Sequence, residues 1–113
     1  MAVGVTGTDY ARAPVALRER LTVAGDRLDA LLDALHAEPL LAEAAVLSTC
    51  NRIEIYVAAP DVPAALARAA HCLGEVTGTS PREVAAVLES RVDGLAVRHL
   101  FAVAAGLRSL AVG

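Results

Sequence analysis

The sequence has 113 residues, of which 56% are hydrophobic but only 3% are aromatic, and its formal net charge is -3. This length suits one domain with a modest core, which Ala, Val, Leu and Ile must fill because aromatic rings are scarce. Ten basic against thirteen acidic side chains argue against a strong, sequence-independent grip on nucleic acid phosphates.

The first forty residues predict one strand and two helices. Ala2 to Gly7 is typical of a short strand, and Pro14 suits the first turn of the helix that follows. A second helix is indicated by four leucines that recur at i, i+3, i+4 and i+7, with a proline just beyond them. These leucines are Leu28, Leu31, Leu32 and Leu35.

Two strands joined by a polar turn are predicted next. The run from Ala42 to Leu47 is apolar apart from one glutamate, which indicates a buried strand. After the turn at Ser48 to Asn51, the segment Arg52 to Val57 alternates strictly between polar and apolar residues. That period of two predicts a half-buried strand whose polar face carries Glu54 and Tyr56.

The rest of the chain predicts three helices and a short strand. One helix begins near Asp61, and Ser80 to Glu83 combines a capping box with proline at the first helical position of the next. An extended stretch is predicted at Leu88 to Val92, and a last helix from about Leu95 to Leu107. Its predicted core residues are Val97, Leu100, Phe101, Ala104 and Leu107. The sum is an α/β (α+β) domain with a small three- to four-stranded sheet, split βαβ-like and packed with helices.

Targeting signals and common cofactor motifs are absent from the sequence. Met1 to Gly7 has no positive charge and no long apolar stretch, so we expect a cytoplasmic protein. No apolar run reaches the roughly 18 to 20 residues of a transmembrane helix, so no membrane partner is expected. Cys50 and Cys72 make no disulfide framework, and no Cys or His spacing fits a metal. No G-x-G-x-x-G motif occurs, so no dinucleotide site is predicted in this chain.

Cys50 lies in the polar turn between two predicted strands. Such a turn would present the Cys50 sulfur at the edge of the sheet. Arg52, two residues later, brings a cation that favours the reactive thiolate and suits a substrate carboxylate. The alternative from the residues alone is an inert, small hydrophobic cysteine. Cys72, in an Ala-rich helix, is predicted to be such a packing residue.

Among the three histidines, His99 is the candidate for chemistry. Its helix face continues through small residues that leave room for a ligand beside the imidazole. The alternative is a histidine at the margin of the core. His36 and His71 are predicted to be solvated or capping residues without a catalytic role.

Three blocks of the sequence resemble the glutamyl-tRNA reductase family. Val46 to Tyr56, which contains Ser-Thr-Cys-Asn-Arg, closely resembles the family's S-T-C-N-R-x-E-x-Y motif. Val97 to Leu110 is similar to its H-L-F-x-V-A-x-G-L-x-S-L segment, and Ala13 to Leu21 to its opening helix. The blocks keep the family's order and spacing, so residues 1–113 resemble its N-terminal, Cys-bearing, glutamyl-tRNA-recognising catalytic domain.

This resemblance implies a reaction in two stages. The Cys50 thiolate would attack the ester that joins glutamate to its tRNA and leave a thioester on the enzyme. NADPH would then reduce the thioester to glutamate-1-semialdehyde in tetrapyrrole synthesis. By the same resemblance, His99 assists proton transfer and Arg52 binds the free carboxylate of glutamate. The residues that match positions around the glutamyl group are Thr49, Asn51, Arg52 and Ser109.

The family's NADPH-binding and dimerisation domains have no counterpart in these 113 residues. The resemblance therefore implies that NADPH binds outside this chain and that a homodimer belongs to the full-length enzyme. The next enzyme of the pathway is a candidate partner.

Two hypotheses other than a catalytic domain stay open at this point. The first is a truncated paralogue that binds glutamyl-tRNA or a protein without turnover. The segment Asp9 to Arg12, with Tyr10 where the family usually has His, argues for it. The presence of both Cys50 and His99 argues against it. The second is a structural domain in which Cys50 is buried.

Overall fold

The computed structural model describes residues 2–9, 13–104 and 111–112. Within these residues the chain forms five strands and five helices. In chain order they are β1 (Ala2–Asp9), α1 (Val15–Leu21), α2 (Asp26–His36), β2 (Glu43–Ser48), β3 (Arg52–Ala59), α3 (Val62–Thr77), α4 (Pro81–Val87), β4 (Glu89–Val92), α5 (Asp93–Ala104) and β5 (Ala111–Val112). Strand β1 runs two residues past its predicted end, and Pro14 is the N-cap of α1 rather than part of its first turn.

The strands form one sheet in the order β4-β1-β3-β2-β5, and each neighbouring pair is antiparallel. Because β1 and β2 both run antiparallel to β3, they are parallel to each other with β3 between them. Strands β3 and β4 enclose β1 in the same way. These are two interleaved split βαβ units, so the predicted α+β fold is confirmed, with the two-residue β5 added at one edge.

One face of the sheet, the helix face, is covered by α1, α2 and α3 and holds most of the buried apolar side chains. Leu31 and Leu35 of α2 are buried there, as the leucine period predicts. Each such side chain stabilises the fold by about 1.5–3 kcal/mol relative to exposure. Two helix starts are fixed by side-chain caps: Asp61 accepts a hydrogen bond from the Ala64 N–H at 3.2 Å, and the Ser80 hydroxyl from the Glu83 N–H at 3.2 Å.

The opposite face, the α5 face, is covered by α5. Ala96 is fully buried against Tyr56 and its neighbours, and Leu100 packs beside it. The prediction of Val97 as a core residue is wrong, because α5 turns the short Ala96 toward the sheet and leaves Val97 39% exposed. The prediction of a half-buried β3 is wrong too, since residues 53–57 are all buried. The predicted core residues Phe101, Ala104 and Leu107 lie outside the described side chains.

The longest helix of the described residues is α3, with 16 residues. A transmembrane helix needs about 20. In the part of the chain that the structure describes, no helix has the length and apolarity to cross a membrane.

Candidate functional site

A hairpin loop between β2 and β3 carries Cys50. Beyond the last strand pair, the Thr49 N–H donates to the Arg52 carbonyl at 2.9 Å. The Thr49 hydroxyl accepts from the N–H groups of Asn51 at 3.1 Å and Arg52 at 3.2 Å. Neither Cys50 nor Asn51 has a positive φ, so the loop is not a type I′ turn. The Thr49 side chain therefore stabilises the loop in place of a backbone acceptor.

The thiol of Cys50 is free and exposed on this loop. Its exposure contradicts the reading in which Cys50 is a buried structural residue. Arg52 follows the loop as the first residue of β3, and its Nη1 lies 3.9 Å from Glu54 Oε1. The structure thus places the Arg52 guanidinium beside Glu54, and its effect on the thiol stays a prediction.

The second cysteine is in a different environment. Cys72 is buried in α3, as predicted, and its Sγ lies 3.9 Å from Glu38 Oε2. Burial, together with the negative charge of Glu38, raises the pKa of the Cys72 thiol. Arg68 holds the same carboxylate through two hydrogen bonds of 2.9 and 3.0 Å. Cys72 is therefore a packing residue with little thiolate.

Four polar residues meet on the α5 face, and we call them the Glu54 cluster: Arg52, Glu54, Tyr56 and His99. The Tyr56 hydroxyl donates to Glu54 Oε1 at 3.0 Å, and His99 Nε2 is hydrogen-bonded to Glu54 Oε2. Burial raises the pKa of Tyr56, and the negative charge of Glu54 adds to the shift. Among the described residues, no buried side-chain nitrogen or oxygen lacks a hydrogen-bond partner.

The local sequence explains how the cluster fits beneath a helix. The alternation of β3 turns Arg52, Glu54 and Tyr56 to one face. Gly7 is the partner of Glu54 across β1 and β3. A Cβ on Gly7 would lie 2.8 Å from Glu54 Cγ, so the glycine leaves the space that the carboxylate occupies.

A cavity of about 170 Å³ opens beside the cluster. It brings together Arg52 and His99, which the sequence predicts as site residues, with Arg91 of β4. Carboxylates line it as well: Asp9, Glu54 and Glu89. Such a volume suits one small polar group rather than a drug-sized ligand. The lining of the cavity thus carries both cationic and anionic side chains.

The predicted site residues divide into two groups in space. Arg52 and His99 line the cavity, whereas Thr49, Cys50 and Asn51 belong to the hairpin loop that precedes Arg52 and are not part of the cavity's described lining. Ser109 lies outside the described residues. His36 is exposed, and His71 pairs with Glu75 in solvent at 3.7 Å.

Sequence reasoning missed Glu54 and Arg91. The alternation of β3 predicts Glu54 only as part of the polar face of a half-buried strand, although its position inside the motif that carries Cys50 is a signal that singles it out. Arg91 reaches the cavity only through the pairing of β4 with β1, Val5 opposite Arg91. No local pattern indicates that pairing.

The comparisons with known proteins agree with the resemblance. The family described as Glutamyl-tRNAGlu reductase, N-terminal domain, matches residues 6–113. A glutamyl-tRNA reductase of Salinispora tropica is 43% identical over 109 residues, which cover 96% of this chain and 24% of that protein. One of Xanthomonas campestris pv. phaseoli is 42% identical over 113 residues, all of this chain and 25% of that protein.

A more distant relative gives the same coverage. The glutamyl-tRNA reductase of Synechococcus sp. (strain JA-3-3Ab) is 36% identical over 113 residues, all of this chain and 26% of that protein. The chain thus spans about a quarter of the length of the curated relatives it matches. On these matches, the chain belongs to the glutamyl-tRNA reductase family and corresponds to its N-terminal domain.

Proposed function

We propose that this chain forms the acyl-transfer part of a glutamyl-tRNA reductase, in which Cys50 accepts the glutamyl group from glutamyl-tRNA. The observation that carries the proposal is the exposed Cys50 thiol on a hairpin loop that leads directly into Arg52 and the Glu54 cluster. The name shared by the relatives, glutamyl-tRNA reductase, supports the choice of substrate.

In the proposed step, the Cys50 thiol loses its proton and the sulfur attacks the ester carbonyl carbon. A carbon–sulfur bond forms while the bond from that carbon to the terminal ribose oxygen of the tRNA breaks. The ribose oxygen takes up a proton as it leaves. His99 serves as the group that accepts the thiol proton and returns it to the ribose oxygen. The products are a glutamyl thioester on Cys50 and free tRNA.

Recognition of the glutamyl group is assigned to residues around the loop and the cavity. The guanidinium of Arg52 can bind the free side-chain carboxylate with two parallel hydrogen bonds. Thr49, Asn51 and Ser109 are proposed to surround the rest of the group. The Thr49 hydroxyl accepts from two backbone amides, and a hydroxyl that accepts twice can still donate once to a substrate.

The reduction that follows is assigned to parts of the enzyme outside this chain. Neighbouring strands of the described sheet are antiparallel throughout, and the sequence has no G-x-G-x-x-G turn, so the described residues do not fit a dinucleotide site of the Rossmann type. NADPH, held elsewhere, would supply the hydride that converts the thioester to glutamate-1-semialdehyde for tetrapyrrole synthesis. From the same resemblance we also propose a cytoplasmic location, a homodimer of the full-length enzyme and contact with the next enzyme of the pathway.

The acyl-transfer step is tested by intact-protein mass spectrometry after incubation with glutamyl-tRNA in the absence of NADPH. We expect a mass increase of one glutamyl group, which hydroxylamine removes because it cleaves thioesters. Cys50→Ser should lose the adduct and keep the fold, since the change is nearly isosteric on an exposed loop. Cys72→Ser is the matched control and should still form it.

Two results would contradict this function. An adduct that persists in Cys50→Ser would move the acylation to another residue. No adduct on a chain whose Cys50 still reacts with a small alkylating agent would favour a glutamyl-tRNA-binding module without turnover.

The role of Arg52 is tested by Arg52→Lys. Lysine keeps the charge but cannot make two parallel hydrogen bonds to a carboxylate. Losing one charge-assisted bond costs about 1.5–3 kcal/mol, so acylation at low glutamyl-tRNA concentration should slow roughly 10- to 100-fold. The measurement is the acylation rate against the concentration of glutamyl-tRNA. A near-normal rate in Arg52→Lys would remove this residue from carboxylate recognition.

A further inference from the structure

Glu54 stands at the centre of contacts that the acyl-transfer mechanism does not yet use. It is 5% exposed, and its two oxygens contact the hydroxyl of Tyr56, the guanidinium of Arg52 and the imidazole of His99. Burying a carboxylate is costly unless hydrogen-bond donors surround it. Here each oxygen has such a donor, so the carboxylate is held in one place.

The position of the carboxylate determines which nitrogen of His99 is available. An ionised carboxylate only accepts hydrogen bonds, so the His99 Nε2 bonded to Oε2 must be the nitrogen that carries a proton. Nδ1 is then the nitrogen left to accept a proton and to return it. A histidine whose second nitrogen is held by a carboxylate in this way has a fixed ring orientation and tautomer.

We propose that Glu54 is a positioning residue, which holds His99 in the Nε2–H form so that Nδ1 performs the proton transfer of the acyl-transfer step. The same carboxylate lies 3.9 Å from Arg52 Nη1, so its charge also attracts the cation assigned to the glutamyl carboxylate. The inference rests on the proposed function for its kinetic consequence, whereas the tautomer that Glu54 imposes on His99 does not depend on that function.

The surroundings of His99 are mixed in charge. The cavity it lines also presents Asp9 from β1, Arg52 from β3, and Glu89 and Arg91 from β4. Glu54 is the carboxylate among them that the structure shows hydrogen-bonded to the ring. A change confined to Glu54 therefore tests the pair while the rest of the lining stays in place.

The chain contains its own control for this pair. His71 Nε2 lies 3.7 Å from Glu75 Oε1 on the surface of α3, with the two side chains 45% and 71% exposed. Water competes for both groups there, so such a pair fixes the imidazole weakly. Glu54→Gln and Glu75→Gln make the same chemical change at a buried and at an exposed histidine partner.

The structural part is tested by nitrogen-15 NMR of the histidine rings without substrate, at a pH where the imidazoles are neutral. In the unchanged chain we expect His99 to show a protonated Nε2 and a bare Nδ1. Glu54→Gln should convert His99 to a mixture of both forms, because an amide can donate as well as accept. Glu75→Gln should leave the His99 signals unchanged.

The kinetic part is tested by the single-turnover acylation of Cys50 by glutamyl-tRNA. Glu54→Gln should lower the rate constant at saturating substrate by about 100-fold or more, the range of a lost acid–base contribution. The half-saturating concentration should change much less. Glu54→Asp, which keeps the charge but retracts it by one methylene, should restore part of the rate. Glu75→Gln should acylate at the unchanged rate.

The NMR and acylation measurements distinguish a failure of this inference from a failure of the proposed function. The tautomer change supports the positioning of His99 even if no acylation of Cys50 is found, in which case only the proposed function fails. An unchanged His99 spectrum in Glu54→Gln overturns the inference, whatever the rate. Should Glu54→Gln not fold, the spectrum of the unchanged chain decides: a protonated Nε2 with a bare Nδ1 on His99 supports the positioning, and the opposite tautomer or a mixture of both overturns it.

Discussion

On β3, Ile53 and Ile55 point to the helix face, while Glu54 and Tyr56 point to the α5 face. Both sets are buried, although only the first is apolar. The helix face is stabilised by apolar packing that many sequences could provide. The α5 face instead buries a carboxylate with specific donors, which costs free energy unless each partner is present. Polar groups buried in this way are typical of functional sites.

Alanine substitutions at two glycines of β1 should give the largest difference in stability between the two faces of the sheet. A Cβ on Gly7 would run into the backbone carbonyl of Ile53 and lie 2.8 Å from Glu54 Cα, whereas one on Gly4 would meet side-chain atoms of Val62 at 2.5 Å and Leu66 at 3.0 Å. Side chains can shift more easily than paired backbone. We expect Gly7→Ala to cost about 3 kcal/mol or more of unfolding free energy and Gly4→Ala about 1–2 kcal/mol.

The measurement for the two glycines is urea unfolding of both variants beside the unchanged chain. Equal losses of unfolding free energy, or a larger loss for Gly4→Ala, would show that the α5 face tolerates an added methyl group as well as the helix face does.

The two thiols extend the comparison from the core to the loop. Cys72 belongs to the helix face and is 4% exposed, whereas Cys50 is exposed. Alkylation needs an accessible thiolate, so Cys50 should react at least about 100-fold faster with iodoacetamide, as Cys72 must wait for local opening. Peptide mapping after a time course measures both rates. Cys50→Ser and Cys72→Ser isolate each thiol, and equal rates in the native chain would contradict the burial of Cys72.

Neighbouring residues on β3 give a smaller contrast. Ile55→Val removes one methyl group from the helix face and should cost about 1 kcal/mol. Tyr56→Phe removes the donor to Glu54 and leaves a buried carboxylate short of one partner, which should cost about 1–2 kcal/mol although no cavity forms. Chemical unfolding of Ile55→Val and Tyr56→Phe beside the unchanged chain measures both losses of unfolding free energy. A Tyr56→Phe chain as stable as the unchanged one would mean that its hydroxyl does not support the cluster.

The smallest expected effect is a loss of stability at alkaline pH. Burial and the nearby Glu54 raise the pKa of Tyr56 above its ordinary value of about 10. Neutral Tyr56 therefore contributes fully to the stability of the fold below pH ~10. This stability is lost as the pH rises from the unfolded-state pKa toward the raised folded-state pKa. The loss should reach about 0.5–1 kcal/mol near pH 10.5. The decline should be flatter in Tyr56→Phe, and identical pH profiles would show that Tyr56 is not the group responsible.

Local patterns predicted the elements that depend on neighbours in the chain. The leucine period identifies α2 because one helix face alone must be apolar, and the strands on either side of Cys50 place it on a turn. What the patterns could not show is the burial of Glu54. The alternation of β3 reports one strand, whereas the cover comes from His99 and its helix, 45 residues along the chain.

The candidate site was predictable to a similar extent. Motif resemblance selected Cys50, Arg52 and His99, and the structure joins the last two around one carboxylate. Thr49 was assigned to substrate, yet its hydroxyl also closes the hairpin. A side chain's bonds to its own loop depend on backbone geometry that spacing alone does not reveal. Arg91 depended on the pairing of distant strands.

The interleaved strand order has a consequence for how the chain acquires its structure. The Ser90 hydroxyl donates to Thr6 Oγ1 at 3.0 Å across 84 residues of sequence, and β1 is sandwiched between β3 and the late strand β4. Contacts this far apart slow folding, because a long loop must close before they form. During synthesis, one edge of β1 therefore stays unpaired until β4 has left the ribosome, and an unpaired edge is where a strand of another chain can add.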